Sequence, residues 1–180
     1  LLPHMTHLVH PDQTGFIRSS NTAINRRFKA LLDDEELVKD TAVVLAVDIE
    51  KAFNSLEWGY LYSVMEQMQL CELFIAWTKL LYTDPRARVR TGRIVSADFR
   101  VERGTRQGCP LSLLLFVLVV EPIASCARMG NDYEGITSRG RHHHIALYVD
   151  DILLFLWNVE GELTGAKNLL ERFGHISGLK

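Results

Sequence analysis

Hydrophobic positions along the chain fall into runs that predict a small buried sheet. Thr41 to Val47 is apolar after its first residue and rich in β-branched side chains, as in a strand buried on both faces, and it ends at Asp48. Two further apolar runs, 145–149 and 152–156, flank Asp150 and Asp151. We therefore expect a β-hairpin with two acids at its tip, beside a strand that ends in a third acid.

Apolar residues at helical spacing predict the helices that accompany these strands. Asn54 and Glu57 have the spacing of a capping box, Pro122 predicts a kink, and Gly174 stands where a C-terminal cap is expected. The predicted helices are 22–32, 55–69, 72–82, 111–121 and 162–173. Residues 130–144 have the composition of a loop.

Arginines dominate the middle of the chain. The stretch from Arg86 to Arg106 carries seven arginines against two acids, although the whole chain has a net charge of −2. Arg86, Arg88 and Arg90 alternate with smaller residues, which predicts a half-buried strand, and residues 94–101 predict its hairpin partner. The three guanidinium groups then share one face. They suit a phosphate backbone, or they protect an exposed sheet edge.

Composition narrows the class of protein. With 180 residues, 47% hydrophobic and 23% charged, the chain is of single-domain size and is expected to fold as one domain over residues 1–180. It begins without Met or a signal pattern, and we expect a piece of a longer protein. Three widely spaced cysteines indicate a reducing, intracellular compartment, with nucleus and cytoplasm both open.

Two apparent motifs predict no site of their own. The longest apolar run, residues 113–120, is too short for a membrane span and predicts a buried helix, so no membrane partner is expected. His142, His143 and His144 are adjacent, and in an extended segment adjacent side chains point to opposite faces. We expect a solvated loop rather than a metal site.

The three acids carry the strongest chemical signal. Asp48, Asp150 and Asp151 on one sheet would repel one another and lose hydration unless a cation compensated them. Mg²⁺ prefers carboxylate oxygens together with substrate phosphates, and a pair of such ions supports in-line phosphoryl transfer. For an isolated Asp-Asp pair, a solvated turn is the ordinary alternative.

Four motifs in order resemble the reverse transcriptases of non-LTR (long interspersed element) retrotransposons. Residues 148–151 (Tyr-Val-Asp-Asp) resemble the Y-x-D-D box, and residues 47–53 resemble the first catalytic motif. Residues 103–112 are similar to the motif that contacts template and nucleotide, and residues 13–18 to a motif of the fingers. The resemblance covers nearly the whole chain.

The resemblance implies an α+β polymerase palm, an antiparallel sheet covered by helices, with partial fingers and without the thumb. It implies RNA-directed DNA polymerase activity that extends a DNA primer on an RNA template with dNTPs, using two Mg²⁺ ions, with Mn²⁺ as a substitute. Asp48 and Asp150 would be the principal metal ligands, with Asp151 as third acid and the Ile49 carbonyl as a backbone ligand.

The resemblance also assigns substrate contacts. Phe53 would lie beneath the sugar of the incoming nucleotide and exclude a 2′-hydroxyl, its alternative being an ordinary core aromatic. Gln107 and Gly108, with Arg106 of the same motif, would line the nucleotide and template pocket. Arg18 is a candidate for the triphosphate. Arg86, Arg88 and Arg90 would hold nucleic acid.

Two other functions share these features. One is a catalytically inactive retrotransposon remnant that binds nucleic acid or a protein. The other is a two-metal nuclease, which would leave Phe53 and Gln107-Gly108 without a role. Asn54, Leu113 and Val149 depart from the residues usual in the family, but none of them replaces a metal ligand.

Overall fold

A computed structural model describes residues 4–15, 29, 31, 33–34 and 42–180. Arg18 and most of the predicted helix at 22–32 lie outside these residues. The described helices are α1 (Met5–Leu8), α2 (Ala52–Ser55), α3 (Trp58–Gln67), α4 (Glu72–Leu81), α5 (Pro110–Arg128) and α6 (Val159–Ser177). The described strands are β1 (Val43–Asp48), β2 (Arg86–Ala87), β3 (Arg90–Thr91), β4 (Ile94–Val95), β5 (Phe99–Arg100), β6 (Ile136–Ser138), β7 (Arg141–His143), β8 (Ile145–Tyr148) and β9 (Asp151–Leu156).

The central sheet confirms the predicted strand and hairpin. It is antiparallel throughout, in the order β1, β9, β8, with Val43 opposite Leu156 at one end and Asp48 opposite Asp151 at the other. The apolar run of β1 is less buried than predicted, because Val43 and Ala46 are exposed. The architecture is α+β, with helices and antiparallel sheets.

One face of the sheet packs on the long helices. Helices α5 and α6 contact each other and the hairpin strands, and the main core includes Leu147, Ile152, Leu154 and Phe116. Asp48 and Asp151 alternate with these inward residues and therefore lie on the opposite face. The helices thus cover one face of the sheet. The sheet end that carries Asp48 and Asp151 is not covered by the main core.

Helix α5 is the central core helix. In the described part of the chain it is the one helix long and apolar enough to cross a membrane by length and composition, and 61% of its most apolar window is buried inside the protein. The predicted bounds 111–121 end too early, because the helix continues through Pro122 to Arg128. Proline removes one backbone donor, and burial of the flanking Val120, Ile123 and Ala124 holds the helix together across it.

The predicted helix 55–69 is confirmed as α3, but it begins at Trp58, after a break that separates it from α2. The chain turns at Leu56 and Glu57, so Asn54 lies inside α2, and no capping box forms at the start of α3. The break has a structural cause: the carbonyls of Phe53 and Leu56 accept hydrogen bonds from Thr105 and Gly104 of a neighbouring loop. Tertiary contacts override the local capping signal here.

Two further boundaries differ from the sequence prediction. Helix α6 runs to Ser177, and Gly178, with φ of +77°, is its C-cap, so Gly174 lies inside the helix. The predicted loop at 130–144 contains the β6–β7 hairpin. Within it His142 and His144 stack 6.3 Å apart on one side, while His143 packs against Phe155 on the other, which confirms that adjacent histidines face apart.

Candidate active site

The three predicted acids meet at one end of the central sheet. Asp48 ends β1 directly opposite Asp151, the first residue of β9, and paired residues of antiparallel strands have Cα atoms about 4.5–5.5 Å apart. Tyr148 also pairs with Asp151, so Val149 and Asp150 form a two-residue loop between β8 and β9. Topology therefore brings together Asp48 and Asp151, which are more than 100 residues apart in the chain.

The pKa of the Asp150 carboxyl responds mainly to burial and less to its acidic neighbours. Burial raises the pKa of the Asp150 carboxyl, and the negative charges of Asp151 and Asp48 raise it further. Each of these effects disfavours the ionised form. A cation placed among the three carboxylates would instead favour the ionised form of Asp150.

The donor chemistry fits a hard divalent cation. Three carboxylates at one sheet edge are oxygen ligands of the kind that Mg²⁺ prefers, and Ile49 adds a backbone carbonyl directly after Asp48. Among the residues that the structure describes, no three His, Cys, Asp or Glu side chains are already grouped to hold a metal ion.

The turn that carries Asp150 has an unusual backbone. Val149 has φ of +60°, a left-handed conformation that is costly for a β-branched residue. Its amide donates a hydrogen bond to Gln13 Oε1 at 3.2 Å. The sequence motif at 13–18 predicted a fingers element, but sequence gave no signal that Gln13 would contact this turn.

Phe53 lies between the core and an open surface. Its ring centroid is 4.8 Å from that of the buried Phe116, and the side chain is only partly buried. The Phe53 carbonyl accepts a hydrogen bond from the Thr105 amide, which places the Phe53 backbone beside the 103–108 loop. Both interpretations of Phe53, core aromatic and sugar contact, are compatible with this position.

The 103–108 loop docks tightly on α2 through a glycine. Gly104 has φ of +86°, and a Cβ there would lie 2.8 Å from the Asn54 Cα and from the Phe53 carbonyl oxygen. Its own carbonyl accepts from Trp58 Nε1 at 2.7 Å. Gln107 and Gly108 are exposed beyond this anchor.

A cleft of about 910 Å³ separates this loop from the arginine hairpin. Arg86, Arg88, Arg106 and Gln107 line it, whereas Arg90, Gly108, Phe53 and the three acids do not. Residues that sequence reasoning did not single out also line it: Trp58, Tyr82, Phe99, Arg100 and Arg103. The positive charge of the 86–106 stretch was the sequence feature that indicated this surface. That charge does not show which aromatic residues lie beside the arginines.

The hairpin itself differs from the prediction. It consists of two short ladders, β2 with β5 and β3 with β4, rather than two continuous strands. Beyond its base the hairpin is exposed, since Val89 and Ile94 are 56% and 76% exposed, whereas Ala87 is partly buried. The prediction of a half-buried strand is therefore wrong for β3 and β4.

The arginines of the predicted comb are not equivalent. Arg86 pairs with Asp84 at 3.4 Å, and Arg88 forms an ion pair with Asp98, which raises the Arg88 pKa. Arg90 donates to the Gly92 carbonyl. Arg86 and Arg88 remain more than 60% exposed, so exposed pairs of this kind can exchange for a phosphate at little cost.

Comparison with known proteins gives one family. The reverse transcriptase (RNA-dependent DNA polymerase) family model matches residues 1–180. The chain is 25% identical over 162 residues to an uncharacterized 149 kDa protein of transposon TX1 from Xenopus laevis, covering 83% of this chain and 12% of that protein. It is 27% identical over 152 residues to a retrovirus-related Pol polyprotein from the type-2 retrotransposable element R2DM of Drosophila melanogaster, covering 81% and 14%.

A solved structure has the same fold. Apo telomerase from Candida tropicalis, truncated from its C-terminal domain, matches with a TM-score of 0.63 at 13% identity, over 99% of this chain and 37% of that chain. The present chain spans between 12% and 21% of the length of the curated relatives that it matches.

Proposed function

The chain belongs to the reverse transcriptase family, and from this premise we propose that it is the palm and part of the fingers of an active RNA-directed DNA polymerase of a non-LTR retrotransposon. The proposed reaction extends a DNA 3′-hydroxyl on an RNA template with dNTPs, inside the cell. The observation that carries the proposal is the meeting of Asp48, Asp150 and Asp151 at one sheet end in a chain of this family.

The metal would be held by the carboxylates of Asp48 and Asp150, with Asp151 and the Ile49 carbonyl as further ligands. Two Mg²⁺ ions bound there supply charge neutralisation for the attacking and leaving oxygens of a phosphoryl transfer. The protein's own contribution is to keep the acids at the end of a rigid sheet, with α5 and α6 packed behind it.

The substrate contacts follow from the neighbouring elements. Phe53 would meet the sugar of the incoming nucleotide, and Arg106, Gln107 and Gly108 would border the base pair being formed. Arg86 and Arg88, which line the basic cleft, are the proposed template contacts. Arg90, which does not line it, stays a proposed contact on its sequence pattern. Arg18 stays a proposal on sequence alone.

The test is a primer-extension assay on the longest natural open reading frame that contains this chain. The parent is expected to extend a DNA primer on an RNA template with dNTPs and either Mg²⁺ or Mn²⁺, and this extension should be lost in Asp48→Asn. An inactive parent that still binds primer–template would instead support the remnant. Cleavage of nucleic acid without extension would support the nuclease.

A further inference from the structure

The Val149-Asp150 turn is held from outside the sheet by the segment Asp12–Gly15. Leu147 donates its amide to the Asp12 carbonyl at 2.9 Å, and its carbonyl accepts from the Thr14 amide at 2.9 Å, so this segment pairs with β8 as a short parallel bridge. The bridge ends beside the turn. It brings the side chain of Gln13 to Val149.

The Gln13 side chain is built into this contact. It is 2% exposed, and Oε1 accepts from the Val149 amide at 3.2 Å and from the Gly15 amide at 2.9 Å. Its Nε2 is buried and has no hydrogen-bond partner among the described residues. The unpaired buried donor costs free energy and offsets part of what the hydrogen bonds of this side chain contribute to stability. The main effect of Gln13 is therefore to hold the two amides that donate to Oε1.

The backbone of Gly15 also lies against Val149. A Cβ at Gly15 would lie 2.7 Å from the Val149 nitrogen and would collide with Val149 Cγ2. The segment therefore lies against the turn at two residues, Gln13 and Gly15. These contacts together hold Val149, a β-branched residue, in the left-handed region of backbone conformation.

We propose that Gln13 is a positioning residue: its amide oxygen fixes the left-handed backbone of Val149 and thereby aims the carboxylate of Asp150. The inference about the turn stands on the contacts above. Its consequence for catalysis rests on the proposed polymerase function.

The matched variants are Gln13→Met and Thr14→Val. Gln13→Met keeps the length of the side chain, removes the acceptor for Val149 and also removes the unpaired donor, so the melting temperature should stay within a few degrees of the parent. Thr14→Val removes the hydrogen bond from Thr14 Oγ1 to the Leu147 carbonyl on the same segment but makes no change at Val149.

Hydrogen exchange of the turn amides, measured by mass spectrometry on the full-length protein, tests the positioning without any activity. Exchange across residues 149–151 should be about 10-fold faster in Gln13→Met and unchanged in Thr14→Val. Only Gln13→Met removes the acceptor that protects the Val149 amide. Unchanged exchange in Gln13→Met, or an equal rise in both variants, would overturn the proposal.

Primer extension then tests the catalytic consequence. Gln13→Met should lower kcat about 10-fold with little change in KM for dNTP, because orientation of Asp150 is lost rather than binding. Adding Val149→Asn, a residue that tolerates the left-handed region, should reduce that loss to about 3-fold or less. An altered exchange rate with unaltered kcat would reject the catalytic consequence. A parent without extension would reject the polymerase function and leave the exchange result standing.

Discussion

At the scale of single residues, Phe53 has a dual environment. Its ring packs on Phe116 at 4.8 Å, yet the side chain is only partly buried, so a substitution affects both the core and whatever approaches from the open side. Sequence alone could propose both roles, because a motif resemblance and the usual burial of Phe point to different ones. In the structure the ring packs on Phe116, and part of the side chain stays exposed.

Phe53→Val is therefore predicted to change nucleotide selection more than deoxynucleotide use. A smaller side chain relieves the collision with a 2′-hydroxyl, and the ratio of kcat/KM for a matched rNTP and dNTP should rise about 10-fold or more. The control is Phe74→Val, which also shortens a partly buried Phe, but on α4 and outside the motif that carries Phe53. If both variants leave the ratio unchanged, Phe53 is an ordinary core aromatic.

Glu121 carries a pH-dependent contribution to stability. This carboxylate on α5 is buried, and burial raises its pKa above the ordinary value of 4.5, although its ion pair with Arg128 acts in the opposite direction. The folded protein thus binds the Glu121 proton more tightly than the unfolded chain. Its contribution is fully present below the unfolded pKa and falls as pH rises through the folded pKa.

Glu121→Gln removes this titration. The free energy of unfolding of the variant, minus that of the parent, should therefore increase as pH is raised from about 4.5 upward. Urea unfolding at a series of pH values measures this difference. A flat or falling difference would mean that the attraction of Arg128 outweighs the burial of Glu121.

At the scale of elements, sequence predicted the existence of most described helices and strands but not their junctions. Strand β1 and the β8–β9 hairpin follow from continuous apolar runs, which depend only on local pattern. The break between α2 and α3 depends on hydrogen bonds from Gly104 and Thr105, some 50 residues away. The short β6–β7 hairpin has too few apolar residues to be separated from a loop by pattern.

The docking of the 103–108 loop gives a prediction for Gly104→Ala. The new Cβ would press on the backbone of α2 at 2.8 Å and also strain a φ of +86°, so the free energy of unfolding should fall by about 2 kcal/mol or more. Gly140→Ala is the control, since it has φ of +73° but open space around it and should cost only the backbone strain, about 1 kcal/mol. Equal losses would contradict the close packing at Gly104.

The arginine hairpin gives a prediction for binding. Arg88→Ala should weaken primer–template binding for all sequences and reduce the log–log salt slope by about one unit, because it removes a phosphate contact. Arg141→Ala makes the same change of charge on the exposed β6–β7 hairpin and should leave the slope nearly unchanged. Equal slopes for the two variants would show that the arginine hairpin does not contact the nucleic acid.

At the scale of the whole molecule, the site is assembled from parts distant in sequence. The acids come from β1 and from the β8–β9 turn, the turn is held by residues 12–15, and the Glu50 amide donates to the Lys180 carbonyl at 2.6 Å. Apolar runs and the family motifs predicted the acids correctly as neighbours on one sheet. The supports could not be predicted, because single hydrogen bonds between remote segments leave no periodic signal.

The most direct test of the account compares the parent and Asp150→Asn, in the natural open reading frame, for both primer extension and primer–template binding. Asn keeps the shape of Asp150 but cannot supply the charge that holds Mg²⁺, so extension should fall more than about 100-fold while binding stays equal or becomes slightly tighter. Extension by Asp150→Asn at a rate close to that of the parent would contradict the proposed role of the acidic sheet end.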